Sequence, residues 1–529
     1  MDDILGRVIN VTGSQIEVAL EADQVSEAPI RIGDLVKVGN GAARAVVGTI
    51  AAVQTNGASS SNGRIFVVDL LGEIVPGSGN RLEFSRGVSL HPGPGEPVFT
   101  AGDADLNAIY DEPSRFNVKI GALHHDAARP ALLLTDELLT KHFAVLGTTG
   151  SGKSCSISLI LSAILDKHRN AHIVLFDPHN EYAAAFGDRA ELITVDNLNL
   201  PLWMLNLEEA VNVLVRGGSA REQESQAIIL KDAITWARRH YADPYNVTAS
   251  ITVDTPVPFH VHELLRFINE EMGRLAKPDT SIPYLRLRTR IESLRDDRRF
   301  SFLFSSEEDT LAEIVGRLLR MPVDGKPLTI VDLSGVPSDV ADVVVSVLCR
   351  VIFDFSIWSE RDRMPPVLLV CEEAHRYIPA DERVGFAETA RIITRIAREG
   401  RKYGISLALI SQRPSELSPP ALSQCGTVFS LRLGSELDQD FIARTLPDVA
   451  RGMLTALPSL PTQQAIVSGE GVRVPMRIRF DDLPADRRPH SEGAEFSKAW
   501  QTDSADREFL DDGIRRWRAQ IKSDVRAPF

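Results

Sequence analysis

Over residues 1 to about 100, apolar and polar positions alternate in short bursts separated by turn residues. RVINVTGSQIEVAL, RIGDLVKV, AVVGTIAAVQ and GRIFVVDLLGEIV are the clearest of them. Short strands at even spacing predict a small barrel or sandwich. TNGASSSNG (55–63) reads as a hairpin tip, and HPGPGEP (91–97) as a linker closing the region.

From about residue 115 the pattern changes. The near-continuous apolar runs HFAVLG, HIVLFD, LTIVDLS, PVLLVCEE, ISLALISQ and TVFSLRL alternate with helical periodicity. Such runs belong in a parallel sheet covered on both faces, so an α/β core is expected. Segments such as REQESQAIILKDAITWARRHY and VHELLRFINEEMGRL are charged and helical, and predict an insertion carried on that core. The expected order is a β-barrel over 1–100, a core over 115–205 and 321–480, a helical subdomain over 206–320 and a polar tail over 481–529. The tail holds one amphipathic piece, DREFLDDGIRRWRAQI.

Composition adds limits. A chain of 529 residues calls for more than one core. No apolar run reaches the roughly 18 residues needed to cross a bilayer, and the acidic opening MDDILGRVIN is unlike a signal peptide. Cys155, Cys349, Cys371 and Cys425 form no CxxC pair, which predicts a reduced, cytoplasmic protein without disulfides or zinc. The net charge of −14 argues against a protein coated in nucleic acid, but not against one gripping it in a local basic channel.

The chemistry begins at GTTGSGKS, which fits G-x-x-x-x-G-K-[ST] between a strand and a helix. Gly147, Thr148, Thr149, Gly150, Ser151, Gly152, Lys153, Ser154 and Cys155 form the candidate phosphate cradle. Lys153 would reach the β- and γ-phosphates and Ser154 would hold Mg²⁺. Such a loop serves motors, small-molecule kinases and switches alike. VLLVCEEAHRYIP then supplies two acids at a strand end: Glu372 in the metal-side place and Glu373 where a carboxylate polarises water. The plainer alternative is that both cap the helix starting at Ala374. A second acid after the strand favours motor and helicase-type ATPases over switches and kinases.

Gln412, ending ISLALISQ, is a candidate γ-phosphate sensor or merely a strand terminus. In FDPHNEY, Asp177 supports the site or its Mg²⁺ shell, while Glu181 and Tyr182 face a neighbouring subunit, unless the segment is only a turn. In ETARIITRIAREGRKYG, Arg391, Arg395, Arg398 and Lys402 share one helical face, with Gly404 as a stop. That stripe is either a solvated face or the source of an arginine finger given in trans, from Arg398 or Arg401.

Assembled, FNVKIGAL, HFAVLGTTGSGKS, DPHNEY, CEEAHRYIP, REGRKYGISLALISQRP and LPSLPTQQAIVSG make the chain resemble the HerA-type ATPases of the HerA/FtsK group over nearly its whole length. The resemblance implies a RecA-like P-loop core on an N-terminal HAS-type barrel, assembled as a homo-hexameric ring. It implies ATP hydrolysis between subunits with Mg²⁺, and threading of double-stranded DNA through the pore. The implied partner is an effector such as a NurA-type nuclease or, in antiviral defence pairs, a sirtuin-like enzyme. Carried over by position, Lys153, Ser154, Glu372, Glu373 and Gln412 take the roles above, and Arg398 or Arg401 the finger. Glu372 stands where many ATPases have Asp. The competing expectations are a ring scaffold that activates an effector, with ATP turnover as regulation, and a protein-remodelling ATPase.

Overall fold

Six of the first seven strands close into a barrel: β1 (Ile4–Val11), β2 (Gln15–Leu20), β3 (Leu35–Val38), β4 (Ala45–Thr55), β5 (Arg64–Pro76) and β7 (Pro97–Thr100). The spatial order is β2-β1-β7-β3-β4-β5, and a β2–β5 ladder shuts the ring, so no edge remains open. β6 (Leu82–Arg86) pairs outside on β5. Alternate residues such as Val8, Ile16, Val36, Ile50, Phe66, Val68 and Val98 fill the interior. The computed structural model describes the chain except residues 1–3, 21–30, 40–43, 56–63, 78–81, 242–250, 276–277, 305–309, 335, 337, 382–386, 446–450, 491–496, 498–499, 502–506 and 520–529. The TNGASSSNG tip, apart from Thr55, lies outside the described residues. HPGPGEP is not a linker: Val8 N–H donates to Glu96 O at 3.0 Å and Gly95 N–H to Val8 O at 2.8 Å, so the segment is bonded to β1 and feeds straight into β7.

The α/β expectation holds for the rest. An eleven-stranded sheet runs β12-β13-β11-β14-β15-β10-β16-β17-β18-β8-β9. The six apolar runs are its parallel strands β10 (Phe143–Leu146), β11 (His172–Asp177), β13 (Leu328–Asp332), β14 (Val367–Cys371), β15 (Ile405–Ser411) and β16 (Thr427–Ser430), flanked at one edge by β12 (Ala190–Ile193). Antiparallel β17 (Gln464–Gly469), β18 (Met476–Phe480), β8 (Asn117–Leu123) and β9 (Pro130–Leu134) extend the other. The barrel is tied to this extension by Arg86, whose Nε donates to Arg473 O at 2.8 Å and whose Nη2 donates to Gly469 O and Val472 O.

The helices over 207–319 do not form a detached body. Leu230, Ile234, Leu264, Leu287 and Ile291 share one apolar cluster with Val174, Leu369 and Leu407 of the sheet. Buried Arg238 donates to Trp203 O at 2.9 Å and Leu205 O at 3.3 Å. The Arg350–Glu209 pair, 2.9 Å apart, pins the helix Leu207–Leu214 to the helix Ser338–Trp358. Residues 490–529 are a separate unit, in which the helix Arg507–Ala519 occupies the amphipathic piece. Among the described residues, no helix is long and apolar enough to cross a membrane.

One buried polar side chain holds the base of the central strands. His142, with φ of 57°, donates from Nε2 to Ala397 O at 3.0 Å and accepts at Nδ1 from Leu407 N–H at 2.9 Å. That pairing demands the neutral ring, and burial pushes its pKa below the ordinary value. The unfolded chain takes up a proton that the native state refuses. The contribution is therefore intact above about pH 6.5 and is lost as pH falls below it. We expect His142→Leu to cost about 1–3 kcal/mol for each backbone group left unpaired. The variant should also lose stability less steeply between about pH 7 and about pH 5, read from urea-unfolding midpoints.

Candidate nucleotide-hydrolysis site

Parallel strands leave their carboxyl ends on one edge, and the phosphate loop, Asp177, the Glu372–Glu373 pair and Gln412 all end or follow strands there. β10 ends at Leu146, paired to Ser411 on one side and Ser430 on the other. The chain then coils through Gly147–Gly152 into the helix Lys153–Lys167. Gly150 and Gly152 have φ of 73° and 102°, where a side chain is strained. A Cβ on Gly147 would stand 2.7 Å from Ser151 Oγ and 2.8 Å from Leu431 Cβ. The loop is held from below: Thr148 N–H donates to Arg432 O at 2.9 Å and Gly147 N–H to Ser411 O at 3.2 Å. Lys153, 8% exposed, donates to Thr148 O at 3.1 Å. Burial pushes its ammonium below the ordinary value, against the pull of Glu372, Glu373 and Glu181. Ser154 and Cys155 follow, half-buried, in the first turn of the helix.

β14 delivers the acids. Glu372 is 3% exposed and accepts from the Tyr182 hydroxyl at 2.8 Å. Burial drives its pKa up to about 8; the Tyr182 hydrogen bond and Lys153 oppose the rise, and Glu373 and Glu181 add to it. Glu373, 7% exposed, takes the left-handed conformation at φ of 52° and makes no side-chain cap bond to the following turn. Capping therefore does not explain it, and the left-handed turn is a strained conformation for a non-glycine residue. Its Oε1 lies 4.0 Å from His179 Nε2, and its Oε2 lies 3.3 Å from His375 Nδ1 without hydrogen-bond geometry. Burial also raises the Glu373 pKa, with Lys153 and His179 opposing.

β15 stands between β10 and β14, so its end lies between the phosphate loop and the acids. Gln412 emerges there, and the Thr149 hydroxyl donates to its Oε1. Asp177, fully buried, accepts from His179 N–H at 3.1 Å and Tyr182 N–H at 3.0 Å and so shapes the neighbouring turn.

The arginines are elsewhere. The helix Ala387–Glu399 and the turn Gly400–Tyr403 end at Gly404, φ 73°, which opens the far end of β15. Arg391 is spent on Glu208 at 2.7 Å and Glu388 at 2.5 Å; Arg395 pairs with Glu399 at 3.5 Å and lies over the Phe353 ring. Arg398, Arg401 and Lys402 are exposed, with no ion pair among the described residues. Seven strand residues separate them from Gln412, roughly 20 Å at the usual rise.

Sequence reasoning misplaced Tyr182 and undervalued two neighbours. Tyr182 does not face another subunit. It is completely buried, and its hydroxyl is spent on Glu372, because the turn set by Asp177 folds the ring inward. Glu181 lies within electrostatic reach of Lys153 and both acids, so three carboxylates act on one lysine. His375, the fifth residue of the CEEAH string, has no role legible from the motif, yet its ring lies between Glu373 and Ser411. Asn180 Oδ1, Glu181 Oε2 and Glu373 Oε2 are buried without a hydrogen-bond partner, and orphaned oxygens of this kind suit a hydrated cation and an ordered water. The oxygen-rich lining formed by these residues therefore fits a hydrated Mg²⁺ ion.

Residues 118–352 match the family model described as helicase HerA, central domain. The DNA double-strand break repair helicase HerA of Pyrococcus furiosus is 25% identical over 457 residues, covering 79% of this chain and 77% of that one. The protein of the same description from Sulfolobus acidocaldarius is 28% identical over 399 residues, 74% of each chain. The solved structure of VirB4 of Thermoanaerobacter pseudethanolicus superposes with a TM-score of 0.50 over 71% of this chain and 99% of that one; at 16% identity it supports the shared P-loop fold alone. The loop, the acid pair and these relatives agree: residues 118–352 match the HerA central domain, and the chain is similar to the HerA-type P-loop ATPases over most of its length.

Proposed function

We propose that this ATPase spends ATP on moving double-stranded DNA, as one subunit of a homo-hexameric ring whose hydrolytic sites are each completed by the next subunit. One observation carries the reading. Lys153, Glu372, Glu373 and Gln412 converge at one end of the sheet, while the two unpaired finger candidates lie roughly 20 Å away. A side chain at that distance serves its own site poorly and is well placed to serve another.

In this reading the Gly147–Cys155 loop and Lys153 bind the phosphates, and Mg²⁺, held at Ser154 and Glu372, supplies charge neutralisation on the phosphate oxygens. Glu373 accepts a proton from the attacking water. Gln412, already bonded to Thr149, reads the state of the loop. Arg398 or Arg401 of one subunit stabilises charge at its neighbour's site. DNA is supported by the relatives, described as DNA repair helicases. An effector such as a NurA-type nuclease or a sirtuin-like enzyme rests on the family resemblance. Linear duplex DNA is expected to raise the steady-state ATPase rate several-fold, and Lys153→Ala to remove both basal and stimulated turnover. Vigorous turnover indifferent to duplex DNA would instead favour protein remodelling or an ATP-regulated scaffold.

A further inference from the structure

The left-handed turn at Glu373 does more than aim the acid. Arg376 N–H closes the following turn on Glu373 O at 2.9 Å, and this curls His375 back beside the carboxylate. The ring's Nδ1 stands 3.3 Å from Glu373 Oε2 and 3.1 Å from Ser411 Oγ. Ser411 is the fully buried last residue of β15. Its Oγ also accepts from Arg413 N–H at 3.0 Å, and its carbonyl accepts from Gly147 N–H at 3.2 Å. One imidazole thus bridges the acid and the point where the phosphate loop begins and Gln412 emerges.

The protonation state follows from the neighbours. Nδ1 faces a carboxylate and a hydroxyl oxygen that already receives an N–H from Arg413, so a proton on Nδ1 suits both. Burial disfavours the doubly protonated ring, which leaves the neutral Nδ1–H form. That N–H is spent on Ser411. Glu373 Oε2 keeps a lone pair free while lying against the ring's positive edge. An acid that takes a proton from water needs both a fixed orientation and an uncommitted oxygen.

We propose that His375 is a positioning residue: anchored on Ser411, it fixes the Glu373 carboxylate toward the attacking water and links it to the strand end that carries Gln412. The inference rests on the reading of Glu373 as the activating acid. Steady-state kinetics of the full chain test it. His375→Leu should lower kcat about 10- to 100-fold with KM changed less than about twofold, the size expected for a misaimed group. His375→Asn, whose amide can occupy the Nδ1 place, should keep kcat within about fivefold of native, whereas His375→Gln, reaching only the Nε2 place, should resemble His375→Leu. Ser411→Ala removes the anchor from the opposite strand and should lower kcat in the same sense, which covers the case in which the His375 variants fail to fold. Near-native kcat in His375→Leu, an asparagine variant no better than the leucine one, or near-native kcat in a folded Ser411→Ala overturns the proposal. Glu373→Gln separates the two levels. If that variant still hydrolyses ATP, the reading of the acid fails; if it is inactive beside a native-like His375→Leu, only the positioning role fails.

Discussion

Glu373→Gln is expected to lower ATP turnover by about 10²- to 10⁴-fold, the range that proton transfer by a placed side chain contributes, while leaving nucleotide affinity nearly unchanged. The substitution is isosteric, and Gln tolerates the φ of 52° no worse than Glu does. What it removes is the charge and the basic lone pair. Stability should move the other way. Glu373 is a buried carboxylate with an oxygen that has no hydrogen-bond partner, and burial pushes its pKa up. The neutral amide relieves that cost, so the unfolding midpoint of the nucleotide-free variant should match or exceed native. Such an exchange of stability for activity is characteristic of a functional group held at a loss. Lys153→Ala provides the contrast, because losing the phosphate-facing ammonium should reduce nucleotide affinity as well as turnover. The checks are steady-state hydrolysis, direct nucleotide binding and denaturant unfolding on the same preparations. Turnover within about tenfold of native would show that another group activates the water.

How much of this was legible beforehand depends on how local the signal is. The phosphate loop and the Glu372–Glu373 pair are set by a few consecutive residues on strand ends, and the six apolar runs are long enough to mark parallel strands. The extension β17-β18-β8-β9 was not legible as such, because its members are distant in the chain and only tertiary pairing brings Ile478 beside Leu123. HPGPGEP looked like a linker because its Gly and Pro content is that of a loop; composition carries nothing about the bonds that seat it on β1. Tyr182 and His375 are the instructive cases. Each stands in a quoted motif, but their functional contacts, to Glu372 and to Ser411, span 190 and 36 residues. The sequence spacing of the DPHNEY turn cannot say whether its tyrosine points in or out. Charge periodicity was similarly half-informative. It found the stripe from Arg391 to Lys402, but only the ion pairs to Glu208, Glu388 and Glu399 divide spent arginines from available ones.

That division leads to the second large effect. If an arginine completes a neighbour's site, Arg398→Ala or Arg401→Ala should lower turnover by about 10³- to 10⁵-fold, the worth of a finger in phosphoryl transfer. The other should change it little, and this ranks two residues that periodicity could not. Loss of activity alone would not place the arginine in trans, but mixing does. An inactive finger variant keeps its own Glu373, and the inactive Glu373→Gln variant keeps its own arginine. In a mixed ring, the interfaces that pair the intact acid of one with the intact arginine of the other regain a whole site. Random mixing in equal amounts restores about a quarter of the interfaces, which sets the ceiling on recovered turnover if sites act independently. A site built within one chain predicts no recovery at any ratio. The geometry opposes that alternative, since the stripe ends at Gly404 and the phosphate loop lies beyond the other end of β15. A mixture no more active than its parts, in assemblies shown by mass to contain both variants, would refute the shared site. So would a monomer hydrolysing ATP at the full rate.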